Sequence, residues 1–542
     1  MNAPRANKTR RRTGHQAQRV QHRGGQARPG LGLIAGLVAC FTFGQARGDP
    51  GAGPLGFQPG FHQAMRNWTW RSPLTTFRIK IPIGRSGNRV RVSFKSGDGP
   101  LEIRAATIAR AGSGGALASD PVPITFDRSP GVSLGSWQRK TSDLVQFAVD
   151  WGSDVYVSFE FEGAAAATTI NAFPESYEWT GGHAADVNPP PGRPLMKASG
   201  INTVDVEAPL ARAFVAIGDS ITEGYISSDL GVYVAYNDDT RNAWPAVAQG
   251  ILRLPFANAA VSGQGLDDAL AALGTDALVL EGITDCLVLM GTNDLSSKTA
   301  DEIQARLAAL FDRLRSFCRV WSGTLPPRDG DQPAIAAKRR AVNDWIRHRA
   351  SIADAIDFEA IVTSPEDPNR FRAGLGFDGI HPTVQGQRLM GTEAARVVSP
   401  PGLLGLSPDS AAAEGGTTVV IDGAGFKPGA TVYFGSIPAP AVEFVSSNML
   451  RARVPPHPPG RVDVTVLNHD GLSSTMARAF GYQEGPAPGG IAPEPDPRPS
   501  PPAASPSHGC SSANSVSSDP AVLAALLLSL FVRRGKRPAN ER

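Results

Sequence analysis

Apolar and polar positions alternate in short runs between residues 55 and 205. The runs "TTFRIKIPIG", "NRVRVSFKSG", "LEIRAATIAR", "DLVQFAVDWG" and "DVYVSFEFEG" are separated by clusters of Gly, Ser, Asp and Pro. A period of two broken by turn residues predicts the strands of a β-sandwich, and no part of this stretch reads as catalytic. From 206 to 399 the pattern changes. The apolar runs "AFVAIGDS", "LPFANAAVSG", "DCLVLMGTND" and "CRVWSGTLPP" end in small or polar residues, and "ADEIQARLAALFDRLRSF" and "AAKRRAVNDWIRHRAS" have helical spacing. Strands alternating with helices predict an α/β domain with a parallel sheet covered on both faces. The active site of such a sheet lies beyond the carboxyl ends of its strands. Residues 401–483 return to short β-runs, enough for a second small sandwich, and 484–509 form a Pro-rich linker.

The two ends of the chain read as export signals. Residues 1–48 have the form of a signal peptide: a basic stretch without acids, then a largely apolar run from Leu31 to Gly44 that is too short to span a bilayer. Ala46-Arg47-Gly48 offers an ordinary cleavage site, and Leu37-Val38-Ala39-Cys40 a lipoprotein-type one with Cys40 as the lipid acceptor. At the other end, 510–542, Cys510 precedes the apolar run Ala521–Val532 and a basic cluster. Twelve residues make a helix of about 18 Å, short for a lipid core of about 30 Å. These ends also carry the positive charge. The chain is +3 overall, but residues 1–50 hold nine basic residues to one acidic and 520–542 five to one, so the body between is −9. An acidic body argues against nucleic acid as a partner.

In the α/β region unusual residues gather at the strand ends. Ser220 follows the first run, Gly263 the second and Asn293 the third, while Asp378-Gly-Ile-His381 precedes the last helix. Ser220 can be a helix N-cap or a nucleophile. Parallel strands present their carboxyl ends on one edge, so residues far apart in sequence can meet there. A serine needs a base to remove its proton, and an imidazole titrates in the right range. A carboxylate on the second ring nitrogen fixes the tautomer, and Asp378 is close enough in sequence to do so. The backbone N–H groups of Ser220 and Gly263 and the amide of Asn293 can receive a developing oxyanion.

Gly218-Asp219-Ser220, Gly263 in "AVSGQG", Gly291-Thr292-Asn293-Asp294 and Asp378-Gly-Ile-His381-Pro382 resemble, in order, the four motif blocks of the SGNH (GDSL) hydrolases. The resemblance covers residues 211–397. It implies a flavodoxin-like three-layer domain with Ser220 as nucleophile, His381 as base, Asp378 as its partner, and Ser220, Gly263 and Asn293 as the oxyanion hole. One position departs: the second block often has Asn-x-Gly, and here Ala260 takes the glycine's place. His183, His348 and His457 show no partner pattern and read as surface residues. No metal or cofactor pattern is present in the sequence. The 55–205 region resembles the β-domain preceding the catalytic domain in some secreted GDSL esterases, and 401–483 resembles an IPT/TIG immunoglobulin-like domain. The cysteine-containing tail resembles the sorting tails of myxobacterial surface proteins.

Together these readings predict an exported serine esterase at the cell surface of a bacterium. Its partners would be the export and sorting machinery and an acylated carbohydrate; the alternatives are short-chain lipid or acyl esters, or an adhesion protein with an inactive hydrolase domain. The sequence does not set the oligomeric state. Two cysteines remain in the catalytic region. Cys286 and Cys318 each lie five residues before a glycine, Gly291 and Gly323, at a strand's catalytic end. Equal offsets would set them side by side at the opposite edge, within reach of a disulfide, with two independently buried thiols as the alternative.

Overall fold

The computed structural model describes residues 54–168, 175–195, 197–226, 240–349 and 351–484. The signal segment with Cys40, the linker from residue 485 and the tail with Cys510 lie outside the described residues.

The central domain is a five-stranded parallel sheet in the order Phe256–Asn258, Phe214–Gly218, Asp285–Leu289, Arg319–Gly323, Ala355–Ile356. This is the flavodoxin-like order, with the chain reversing direction beside its first strand. Every residue of Phe214–Gly218 and of Asp285–Leu289 is buried, as expected when helices cover both faces. Trp244–Leu252 packs with Val384–Val398, and Ala300–Leu314 with Pro333–Arg347 and Leu266–Asp276. Ala300–Leu314 shows why these segments are helical. Thr299 and Glu302 form a capping box at its start, and Ile303, Leu307, Leu310, Phe311 and Leu314 make one buried stripe.

Cys286 and Cys318 form a disulfide with a Cα–Cα separation of 5.8 Å. The register differs from the count made on the glycines. Cys286 lies opposite Val320, and Gly291 falls beyond its strand while Gly323 closes its own. The cysteines are therefore diagonal neighbours. Because the offset is two residues, both side chains keep the same face of the pleat.

The N-terminal domain links eleven strands in one hydrogen-bonded sheet, seven along a continuous path and four that branch from it. "NRVRVSFKSG" and "LEIRAATIAR", separate strands by their turn residues, are one strand, Gly87–Arg110. The intervening Gly97-Asp98-Gly99-Pro100 makes a bulge, where the register jumps between Ser96 and Leu101, and not a reversal. The first half pairs with Ile201–Pro209 and the second with Asp154–Ala167. Phe77, Phe94, Phe159 and Phe161 fill the core.

The last domain, Gly402 to Gln483, has a four-stranded and a five-stranded sheet around Val419, Ile421, Val432, Phe434, Leu450, Val464 and Phe480. The two flanking domains meet the central sheet at different places. On the N-terminal side, Gln63 forms a parallel bridge with Asn258 on the sheet's edge strand, and Ala64 N–H donates to Asn258 O at 3.0 Å. Arg66 pairs with Asp276 at 2.6 Å. His62, buried, spans Thr203 Oγ1 and Asp276 O, and burial pushes its pKa down to about 3. On the C-terminal side, Lys427 Nζ reaches Val397 O, Asp354 and Asp470 at 2.9, 2.9 and 2.7 Å, and Leu472 joins the catalytic-domain core. Asp354 directly precedes the strand Ala355–Ile356, so this contact lies at the amino edge of the sheet.

Candidate active site

The strand Phe214–Gly218 runs straight into the four-residue helix Ser220–Glu223. Gly218 is required by close approach: a Cβ there would fall 2.1 Å from Thr222 Oγ1. The helix is capped by Asp219, whose carboxylate accepts from Ile221 N–H at 3.0 Å. Ser220 is therefore not the N-cap, and the capping reading of this serine is replaced by a first-turn position that leaves its hydroxyl free for another bond. That hydroxyl lies 2.8 Å from His381 Nε2. His381 Nδ1 is 2.7 Å from Asp378 Oδ2, and Asp378 Oδ1 accepts from the backbone N–H groups of Ile380 and His381 at 3.0 and 2.8 Å.

The two aspartates near this serine differ in environment. Burial alone would raise the Asp378 carboxyl, but the bonds from the His381 side chain and from the His381 and Ile380 backbone outweigh it and hold it at about 2. Asp219 is fully buried, and burial pushes it up to about 6 despite the Ile221 N–H. Asp378 is thus an anion at neutral pH, placed to hold the imidazole in the tautomer that leaves Nε2 free to accept.

The second and third motif blocks lie beside this chain of hydrogen bonds. Gly263 has φ +83° with open space where a Cβ would stand. Asn293 donates an amide hydrogen to Gln264 O at 2.9 Å, and the amide carries a second donor hydrogen. Asp294, in the same block, has a scaffold role: it accepts from Leu266 N–H at the start of Leu266–Asp276 and pairs with Lys298.

Several contributors were not visible as motifs. Asn258 donates to Thr222 O and accepts from Ala260 N–H, and Glu223 accepts from Ser262 N–H, so the loop carrying Gly263 is tied to the nucleophile helix. Gln387 joins that helix to the domain's last helix through Ile221 O and Trp244 N–H. Tyr225 and Phe377 set aromatic rings 4.4 and 5.9 Å from that of His381. The N-terminal domain also reaches the site, contrary to the reading of 55–205 as remote from chemistry. Gln63 Nε2 donates to Ala260 O at 3.3 Å, at the position where the second block departs from Asn-x-Gly. Arg66, Lys95 and Trp137 line a cavity of about 590 Å³ together with Ser262 and Gly263. Among the remaining histidines, His183 does have a partner, Asp186, at 2.7 Å.

Residues 216–389 match the GDSL-like lipase/acylhydrolase family, and residues 401–482 match the IPT/TIG domain. No curated protein matches the chain. Solved structures that resemble it include a G-D-S-L-family lipolytic protein from Desulfitobacterium hafniense DCB-2, at 24% identity over 35% of this chain and 100% of that one, with a TM-score of 0.30. Est24, a carbohydrate acetylesterase from Sinorhizobium meliloti, is 15% identical over 34% of this chain and 97% of its own, TM-score 0.29. Axe2, an acetylxylan esterase from Geobacillus stearothermophilus, is 19% identical over 34% and 94%, TM-score 0.27. The chain therefore carries a GDSL-like lipase/acylhydrolase domain followed by an IPT/TIG domain, and is a hydrolase acting on esters.

Proposed function

We propose that the protein is an exported serine esterase that removes O-acyl groups, acetyl first among them, from polysaccharide. The observation that carries this reading is the unbroken run of hydrogen bonds from Ser220 Oγ through His381 to Asp378. In the proposed cycle His381 Nε2 takes the Ser220 proton as Oγ attacks the ester carbonyl, and Asp378 stabilises the imidazolium. The N–H groups of Ser220 and Gly263 and the Asn293 amide receive the oxyanion. His381 returns its proton to the departing sugar oxygen, which leaves an acyl group on Ser220. Water, deprotonated by the same imidazole, then releases the carboxylic acid and restores the serine.

Export is supported by the basic-then-apolar amino terminus and by the Cys286–Cys318 disulfide, which belongs in an oxidising compartment. A modular body with two accessory β-domains suits a polymeric substrate better than a free lipid. The test is a panel of acetylated glycans set against p-nitrophenyl esters of increasing acyl length. Acetate release from a glycan, with activity falling steeply beyond short acyl chains, is expected. Activity that grows with chain length and spares every glycan would instead identify a lipid or acyl esterase, and no turnover at all an inactive domain serving adhesion.

A further inference from the structure

Eight tryptophans occur in the chain, and the three that are well exposed, Trp68, Trp70 and Trp137 at 46, 50 and 40%, all gather around one bulge of the N-terminal domain. Trp68 and Trp70 are two apart on the strand Asn67–Pro82 and so share a face. Their partners across the ladder are Ala166 and Ala164, small residues over which large rings can extend. Beyond these alanines lies the bulge. A Cβ on Gly97 would fall 2.1 Å from the Cβ of Trp68, and one on Gly99 3.2 Å from the Trp70 ring. Trp137 N–H donates to Gly97 O at 2.9 Å, and Trp137 has φ +56°, a left-handed conformation unusual for a bulky residue. The backbone thus holds this indole outward under strain, a pattern that marks functional positions.

Trp137 also joins this surface to the catalytic loop, because it lines the cavity shared with Arg66, Ser262, Gly263 and Asp268. On the other side, Trp68 borders a polar groove of about 280 Å³ with Arg71, Glu178 and Arg193. Rings with flat apolar faces, set between groups that bond hydroxyls, suit pyranose rings, which present C–H faces and a rim of hydroxyls. Several nearby cations are held in place by protein oxygens. Arg66 is held by Asp276 at 2.6 Å, Lys95 Nζ by Met65 O at 3.0 Å with Asp276 at 3.7 Å, and Arg71 by Glu178 at 2.8 Å. Arg193 shares Glu178 with Arg71, and Lys197 also lines the groove, so the surface keeps a positive balance beside the rings.

We infer that Trp68, Trp70 and Trp137 form a binding platform for a polysaccharide chain, which the N-terminal domain presents along a path ending at the Gly263 side of the active site. That the bound chain is also the substrate rests on the esterase reading; the binding itself does not. The test separates the two. Full-length Ser220→Ala protein should be retarded in native gels containing acetylated xylan and its deacetylated form. Each of Trp68→Ala, Trp70→Ala and Trp137→Ala should weaken retardation by about threefold to tenfold, the usual scale for a lost ring contact, with Trp→Phe recovering part of it and melting temperature unchanged. In the Ser220 background of the wild type, the triple variant should lose about tenfold more activity on acetylated xylan than on p-nitrophenyl acetate. A parent protein that binds neither xylan, a triple variant that binds as the parent does, or equal losses on polymer and small ester would each overturn the platform. Binding with no acetate release from any glycan would support the platform and overturn the polysaccharide esterase reading.

Discussion

The two flanking β-domains look alike as sequence patterns and differ in what they do to the central sheet. The N-terminal domain runs alongside the edge strand Phe256–Asn258, bridges Gln63 to Asn258 and supports the loop that carries Gly263. The IPT/TIG domain meets the amino edge through Lys427 and Leu472, at the far ends of the strands from Ser220. Composition does not distinguish them. What matters is the edge each one touches, since in an open parallel sheet only the carboxyl edge carries chemistry. One flanking domain accordingly supports a loop at the carboxyl edge, and the other is a buttress at the far one.

This contrast can be broken or sharpened by substitution. The largest effect is expected at the carboxyl edge itself: Ser220→Ala and His381→Ala should each lower kcat on p-nitrophenyl acetate by roughly 10⁴-fold or more, because the two act as a unit. Residual activity above a few per cent in the serine variant would remove the nucleophile from Ser220. Asp378→Asn should cost roughly a hundredfold or more, through loss of the imidazole's orientation; a shifted pH profile at full rate would make the carboxylate a tuning group instead. Gln63→Ala, in the N-terminal domain, should lower kcat by about fivefold to tenfold with KM little changed, since small displacements of a transition-state donor are costly. Lys427→Met at the opposite edge should leave kcat and KM as they are and depress the melting temperature, the stability cost being about 3–5 kcal/mol for a buried ion-pair partner removed. If Lys427→Met slowed turnover as much as Gln63→Ala, the division of labour between the domains would fail.

The smallest effect is a pH dependence. Asp219 titrates near 6 in the folded chain, above its value near 4 when unfolded. A raised carboxyl contributes stability that is present below pH 4 and lost as the pH rises through about 6. Asp219→Asn keeps an acceptor for Ile221 N–H and cannot ionise. Its melting temperature relative to wild type should therefore rise between pH 4 and 6 and level off above.

Much of the site was legible because its chemistry is local. Gly-Asp-Ser at a strand end and Asp-x-x-His before a helix carry their roles in residue type and spacing, and strand polarity brings them to one edge. Which residue caps the helix stays open in the sequence because Asp219 and Ser220 are adjacent and both accept hydrogen bonds; backbone dihedrals, not composition, decide which is the N-cap. Gly97-Asp98-Gly99-Pro100 reads as a turn, and only pairing on both sides to neighbouring strands makes it a bulge. Gln63 and Trp137 left no signal. Gln63 bonds across to Ala260, and Trp137 lines a cavity shared with Ser262 and Gly263; single residues without periodicity or spacing cannot announce such placements.

The central claim, that Ser220 is the nucleophile activated by His381, is tested most directly by covalent labelling. Full-length protein treated with a fluorophosphonate at neutral pH, digested and mapped by mass spectrometry, should carry the adduct on Ser220, and His381→Ala should suppress the labelling while leaving the fold intact. An adduct on a different serine, or labelling of Ser220 at an undiminished rate without His381, would contradict the account.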